Sequence, residues 1–229
     1  MLTICYTMFN PKQETIVEHL TLWKSYSEEA QQQLKIVIID DHSDKVVNIQ
    51  PDFSLNLNIV RVDQDIYWNL PGARNLAFKL ADDDWCVSLD MDHFLSPKVI
   101  EEILKLEKHM GTVYRFQRTR NGKPHTVHRD SFIIHKKDFW DMGGYDEDMC
   151  GCRGANEDLI EATMHYKNLI LEQTNITIEN NEFHGKVGGI KRDMVSRNYV
   201  FLKQKLYQMK QGIYENKDHI RFTWTPTRL

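Results

Sequence analysis

The chain has 229 residues, 41% hydrophobic and 27% charged, and its 29 Lys and Arg against 33 Asp and Glu leave a formal net charge of −4. That length suits one sizeable core; the hydrophobic fraction excludes a disordered chain, and 11 Gly and 6 Pro exclude a fibrous or low-complexity one. The mild acidic balance gives no general electrostatic reason to bind nucleic acid or an anionic membrane surface. Residues 1–10 carry neither a basic stretch nor a small-residue cleavage site, and nowhere do about 18 apolar residues run together. The expectation is a soluble protein without signal peptide or membrane segment. Cys5 and Cys86 sit in apolar runs, and Cys150 and Cys152 lack the second pair a zinc site needs, so a reducing, cytoplasmic setting is expected.

Leu2 to Met8 reads as a strand. Asn10, Pro11 and Gln13 then resemble a helix start with Asn10 as N-cap, and Ile16, Leu20 and Trp23 follow at helical spacing. Lys35 to Ile39 is a near-continuous apolar run of the kind a strand buried on both faces shows, and it ends in Asp40 and Asp41. Leu57 to Val62 is a third strand. Pro71 opens a helix with Ala73, Leu76, Ala77 and Leu80 on one face, and Trp85 to Leu89 is a fourth strand running into Asp90-Met91-Asp92. Ser96-Pro97 caps a further helix. Repeated strand and helix units predict a right-handed parallel sheet.

Past residue 110 the alternation breaks. Thr112 to Arg118 and Ser131 to His135 read as strands joined through a turn at Arg120 to Pro124, and Gly143-Gly144 marks a loop. A helix is expected after Glu157, and another over Val195 to Gln211 with Val195, Tyr199, Leu202, Leu206 and Met209 inward. One domain without internal repeat or linker is the simplest organisation.

In an open parallel sheet, ligands bind outside the carboxyl ends of the strands, and that is where the acidic clusters fall. Asp90 and Asp92, one residue apart after the fourth strand, suit a hard divalent cation that also meets substrate phosphates. Glu157 and Asp158 open a helix, where carboxylates complement its dipole or act as a general base.

The ordered set Ile38-Ile39-Asp40-Asp41, Ala73-Arg74-Asn75, Asp90-Met91-Asp92, Gly143-Gly144-Tyr145-Asp146-Glu147 and Asn156-Glu157-Asp158 resembles family 2-type glycosyltransferases of the GT-A fold, and also the galactosyltransferase-like group, over roughly residues 1–185. The resemblance implies an α/β, Rossmann-like, mostly parallel central sheet flanked by helices. A smaller acceptor-side β and loop region and a C-terminal helix would complete one domain over 1–229. About 1–110 would form a nucleotide-sugar-binding half, 111–190 an acceptor and catalytic half, and 191–229 a helical extension.

It implies a metal-dependent, inverting hexosyltransferase that uses Mn²⁺ or Mg²⁺, a nucleoside-diphosphate-sugar donor and a glycan or other hydroxyl acceptor. Thr7 and Met8 would line the nucleotide pocket, Asp40 or Asp41 would meet the base, Arg74 would lie near the nucleotide, and Asp90 would face the ribose or metal. Asp92 and His184 would be metal ligands. Asp158 would be the base, Glu157 would bind acceptor, and Tyr145 lies in the acceptor-loop motif; by its residue type Trp140 offers a further ring for a sugar face or for the core. Beside these, Lys186, Lys191 or Arg192 is available to assist the diphosphate or to form a solvated face. His93 adjoins Asp92, and His125 and His128 fall in a loop where they meet acceptor or nothing. The sequence departs from the family at His42 and Asn156, where Gly is common.

Two other functions compete with this one. A sugar nucleotidyltransferase would open with a Gly-rich loop, and Leu2 to Lys12 has no Gly. A non-catalytic glycan- or nucleotide-binding module would not need Asp90, Asp92, Glu157, Asp158 and His184 together. The lysines of the last helix look like its solvated face rather than a nucleic-acid patch.

Overall fold

A computed structural model describes residues 1–180 and 195–227. Its strands are β1 (Leu2–Met8), β2 (Leu34–Asp40), β3 (Leu57–Val62), β4 (Trp85–Asp90), β5 (His93–Phe94), β6 (Thr112–Arg120), β7 (Lys123–His125), β8 (Phe132–His135), β9 (Ile170–Asn180) and β10 (Trp224–Pro226). The helices are α1 (Gln13–Lys24), α2 (Glu28–Gln33), α3 (Leu70–Leu80), α4 (Pro97–Lys105), α5 (Lys136–Asp141), α6 (Asn156–Tyr166) and α7 (Val195–Lys210), with a short 3₁₀ turn at Glu147–Met149.

The sheet runs β10-β3-β2-β1-β4-β8-β6-β9-β5, with β7 beside β6. Strands β3, β2, β1 and β4 are mutually parallel; β8 enters antiparallel to β4, and β10 is antiparallel to β3. Alternation along the strands builds two apolar layers. Leu2, Ile4, Tyr6, Ile36 and Ile38 point to one face with Ile16, Trp23, Ile100 and Ile103 from α1 and α4. Cys5, Val37, Ile39 and Val60 point to the other, against Leu76 and Phe78 of α3, Phe139 of α5 and Ile160 of α6. Among the described residues, no helix is long and apolar enough to cross a membrane.

The chain moves outward from β1 through β2 to β3, then returns to place β4 on the other side of β1. This reversal opens a crevice at the carboxyl ends of β1 and β4. Register makes the crevice acidic: Thr7 pairs with Asp90, and Met8 with Asp40.

Several local expectations change. Asn10 does not cap α1. It takes a left-handed φ of 47°, and its side chain exchanges hydrogen bonds with Asp44 of the loop after β2, at 3.1 and 2.8 Å. Ser96 does cap α4, accepting from the Val99 amide. The 121–122 turn folds β7 back onto β6 rather than leading directly to β8. In α7, Tyr199 is exposed, whereas Asn198 is fully buried. The segment after α7 does not end as helix: β10 returns to the free side of β3. His42 has φ 61°, and its Nδ1 lies 3.0 Å from the Val62 carbonyl oxygen, so a position suited to Gly is held by a side-chain contact.

Candidate active site

The centre is built on the end of β4. Met91 is buried in the core and its carbonyl accepts a 2.9 Å hydrogen bond from His19 Nε2, which pins the turn between the two acids. Asp90 and Asp92 consequently stay at the surface of the crevice, with side chains 27% and 35% exposed.

Asp90 Oδ1 accepts from Arg74 Nη2 at 2.6 Å and from Thr7 Oγ1 at 3.4 Å. Arg74 projects from the buried face of α3 and bonds through its other terminal nitrogen to buried Asp130, whose second oxygen accepts from the Tyr145 hydroxyl at 3.2 Å. Antiparallel pairing accounts for the meeting. Ser88 opposes Phe132, so two residues further along each strand Asp90 and Asp130 come opposite one another. Burial works to raise the Asp90 pKa, but Arg74 and His128 hold it below the usual carboxylate value.

Asp92 Oδ1 lies 2.8 Å from His93 Nδ1, and its backbone carbonyl accepts from Asn180 at the end of β9. Burial opposes ionisation here too, yet the His93 and Asn180 contacts leave the carboxyl well below its ordinary range. His128, in the loop before β8, stacks on His93 with ring centroids 4.8 Å apart, and its Nε2 is 3.7 Å from Asp90 Oδ2. Burial lowers its pKa, partly opposed by Asp90.

Asp90, His93 and His128 each offer one donor atom, all within 4.8 Å of one another. One carboxylate oxygen and two imidazole nitrogens are a donor set that divalent transition cations accept, so these residues fit a metal ion.

Across the crevice, α6 begins after Ala155 in a left-handed conformation, φ 63°, and carries Glu157 and Asp158 in its first turn. Glu157 Oε1 is 3.9 Å from His128 Nε2, and burial, reinforced by Asp130, raises its pKa. Asp158 is ion-paired with Arg129. The loop that delivers α6 is fastened by buried Asn198, whose Nδ2 donates to the carbonyls of Met149 at 2.9 Å, Cys152 at 2.8 Å and Gly154 at 3.1 Å.

The two acids after β2 have different surroundings. Asp40 is buried and committed to Arg61 at 2.6 Å and the Ser43 amide at 2.8 Å. Asp41 is half-buried beside Asn69, and burial pushes its pKa to about 7, with Asp40 adding to the effect and Asn69 opposing it.

Thr7 and Met8 lie buried on β1, with Thr7 against Asp90. Tyr145 is buried as well, so its ring braces Arg74 from 5.2 Å rather than presenting a free face. Trp140 packs on Phe139 and His219, in the second core layer. His184, Lys186, Lys191 and Arg192 lie outside the described residues. Asp130, Arg129 and Asn198 were missed by the sequence reading. The signal for Asp130 was Arg74 itself, a charge on an otherwise apolar helix face that requires a buried counter-ion.

The comparisons with known proteins agree with this architecture. S. aureus TarS 1–349 in complex with UDP-GlcNAc superposes with a TM-score of 0.69 at 12% identity, covering 93% of this chain and 70% of that one. GalNAc-T7 with UDP, GalNAc and Mn²⁺ gives 0.63 at 12% identity, covering 93% of this chain and 50% of that one. The chain spans 60% of a further TarS 1–349 structure and 43% of the longer TarS structure. At these identities the likeness shows the GT-A fold. No curated protein matches. The sequence model of the family described as Glycosyl transferase family 2 matches residues 7–164, more than half of the chain. The chain belongs to glycosyl transferase family 2.

Proposed function

We propose that this glycosyltransferase moves a hexose from a nucleoside-diphosphate sugar to a hydroxyl of a glycan or other acceptor, with inversion at the anomeric carbon and with help from a divalent cation, Mn²⁺ or Mg²⁺. The observation that carries the reading is the placement of Asp90 and Asp92 at the sheet reversal, with Glu157 in the first turn of α6 reaching His128 beside them and Asp158 next to it in the same turn. Relatives of the same fold were crystallised with UDP, UDP-GlcNAc or UDP, GalNAc and Mn²⁺, which makes uridine-diphosphate hexoses the first donors to test.

In this reading Asp41, the less committed acid after β2, accepts from the base, and Arg74 with Thr7 fixes Asp90 toward the ribose or cation. The cation, when bound, neutralises charge growing on the departing diphosphate. Asp158 takes the proton of the acceptor hydroxyl as that oxygen bonds to the anomeric carbon, and the bond from that carbon to the diphosphate oxygen breaks on the opposite face. Glu157 orients the acceptor. A second reading exchanges the two, favoured by the position of Glu157 beside His128 and its raised pKa, since a base works best with a pKa near the working pH. In either case Arg129 must release Asp158 or keep it as a structural partner.

A thermal-shift panel of nucleotide sugars with and without Mn²⁺ tests the donor reading, and a panel without any stabilising compound would argue for a non-catalytic module. Asp158→Asn and Glu157→Gln then separate the bases. The true base loses transfer by roughly 10²–10⁴-fold while donor binding stays nearly intact, and unaffected turnover in Asp158→Asn removes it from that role.

A further inference from the structure

We infer that the cation is held by Asp90, His93 and His128, with Asp92 acting behind His93 rather than on the ion. The family resemblance implies the opposite, with Asp92 as direct ligand. This deepens the transferase reading and rests on it only for the purpose the ion serves.

Each of the three side chains has one donor atom engaged and another left over, and the spare atoms of Asp90 and His128 lie 3.7 Å apart. Asp90 spends Oδ1 on Arg74 and Thr7, leaving Oδ2 turned toward His128. His128 spends Nδ1 on Ser131 Oγ at 2.9 Å, leaving Nε2 turned toward Asp90. His93 Nδ1 lies 2.8 Å from Asp92 Oδ1, at ion-pair distance though without hydrogen-bond alignment. A carboxylate opposite Nδ1 places the proton there and leaves the lone pair on Nε2, and Arg118 reports the same tautomer by aiming Nη1 at Nε2 from 3.5 Å.

The pattern is that of metal-binding histidines, whose outer nitrogen is fixed by a carboxylate or hydroxyl so that the inner one stays a ligand. One donor atom from each of the three residues falls within 4.8 Å of the others, just beyond the span of about 4.6 Å that two bonds of about 2.3 Å to one ion reach, so a small inward shift closes the site. His93 is 1% exposed, lies on β5 in register with Asn180 of β9 and stacks on His128, so its imidazole is placed before any ion arrives. A cation on Nε2 replaces the long Arg118 contact, freeing that guanidinium for an anionic group nearby.

Two imidazoles change which ion is preferred. Oxygen-only sites suit Mg²⁺, whereas nitrogen donors favour Mn²⁺, Co²⁺ and related transition ions. The probe is therefore the metal alone, without nucleotide. Titrated into the full chain, Mn²⁺ and Co²⁺ should raise the unfolding midpoint at concentrations at least tenfold below those Mg²⁺ requires. Electron spin-echo spectra of the Mn²⁺-loaded protein should carry ¹⁴N modulation from the imidazoles, a readout that needs no variant.

His128→Asn and His93→Asn should weaken Mn²⁺ binding at least tenfold and lose part of that modulation. Asp92→Asn should weaken binding by about 10–100-fold, as removal of an orienting partner does, and keep the modulation. Absence of ¹⁴N modulation in the unaltered protein, or equal affinity for Mg²⁺ and Mn²⁺, overturns the assignment. Binding of a uridine-diphosphate sugar with Mg²⁺ but without nitrogen coupling would sink the triad and spare the transferase reading. Intact coupling with no nucleotide sugar bound by any ion would do the reverse.

Discussion

Asp130 carries no role in the proposed chemistry, yet its replacement tests the architecture of the site most severely. It is 1% exposed and accepts from both Arg74, itself 2% exposed, and the Tyr145 hydroxyl. Asp130→Asn keeps the shape and removes one of the two charges that compensate the buried guanidinium. Two unit charges at about 4 Å attract by roughly 4 kcal/mol at an effective dielectric of 20, and breaking a buried pair costs about 3–5 kcal/mol in practice. Asp90 still pairs with Arg74 at 2.6 Å, so the expected loss is the lower part of that range, about 3 kcal/mol. For a chain of this size that lowers the thermal midpoint by roughly 6–12 °C. Urea denaturation should show the fall as a shift in midpoint at constant slope. Tyr145→Phe alone should cost about 1 kcal/mol, and the double variant less than the sum, because both substitutions strike the same carboxylate. A loss under about 1 kcal/mol for Asp130→Asn would falsify the account, since it would mean that water already solvates Arg74.

Three further outcomes follow from the same geometry. Burial raises the Asp41 pKa to about 7, so the folded chain holds a proton there that the unfolded chain releases near pH 4. Its unfavourable contribution is absent at low pH and grows as pH rises from about 4 through 7, so Asp41→Asn should stabilise the protein at pH 8 and leave it little changed at pH 4; equal effects at both would refute the burial argument. Asn198→Ala leaves three carbonyls of the loop before α6 without their shared donor and should cost about 1–3 kcal/mol. It should also raise the acceptor KM more than the donor KM, and steady-state kinetics with each substrate varied would check that. Ser96→Ala should cost about 1 kcal/mol through the lost α4 cap, with no change in metal or nucleotide binding by calorimetry.

The first four strands are legible because each is buried on both faces and so reads as an apolar run. β9 is not, since its first half, Ile170 to Gln173, lies at the outer part of the sheet with largely exposed residues. β10 is three residues ending in Pro226, too short for any periodicity and tolerable only at an edge. In α7 the hydrophobic spacing selected Tyr199, but the inward position next to it went to Asn198 because loop carbonyls needed a donor there. Asp90, Asp92, Glu157 and Asp158 are visible from strand and helix ends alone. Asp130 and the meeting of His93 with His128 are not, because no spacing in the sequence links residues 90, 93 and 128. Only the antiparallel entry of β8 beside β4 brings that loop over the motif. What separates Asp40 from Asp41 is Arg61, which lies on β3 in register with Asp40 and takes up its carboxylate.

The two margins of the sheet are finished with short pieces, β10 on one side and the two-residue β5 on the other. Six residues of β3 would otherwise offer unpaired amides and carbonyls to any passing extended chain. The tail that blocks them is itself anchored at the crevice, where buried Glu147 accepts from the amides of Ile220 and Arg221 at 2.7 and 3.2 Å and from Asn75 of α3 at 2.8 Å. Loosening that carboxylate would therefore do more than disturb a neighbour of the site. It would uncap a β edge and turn a local defect into a tendency of whole molecules to stick together, so loss of activity in Glu147 variants should travel with aggregation.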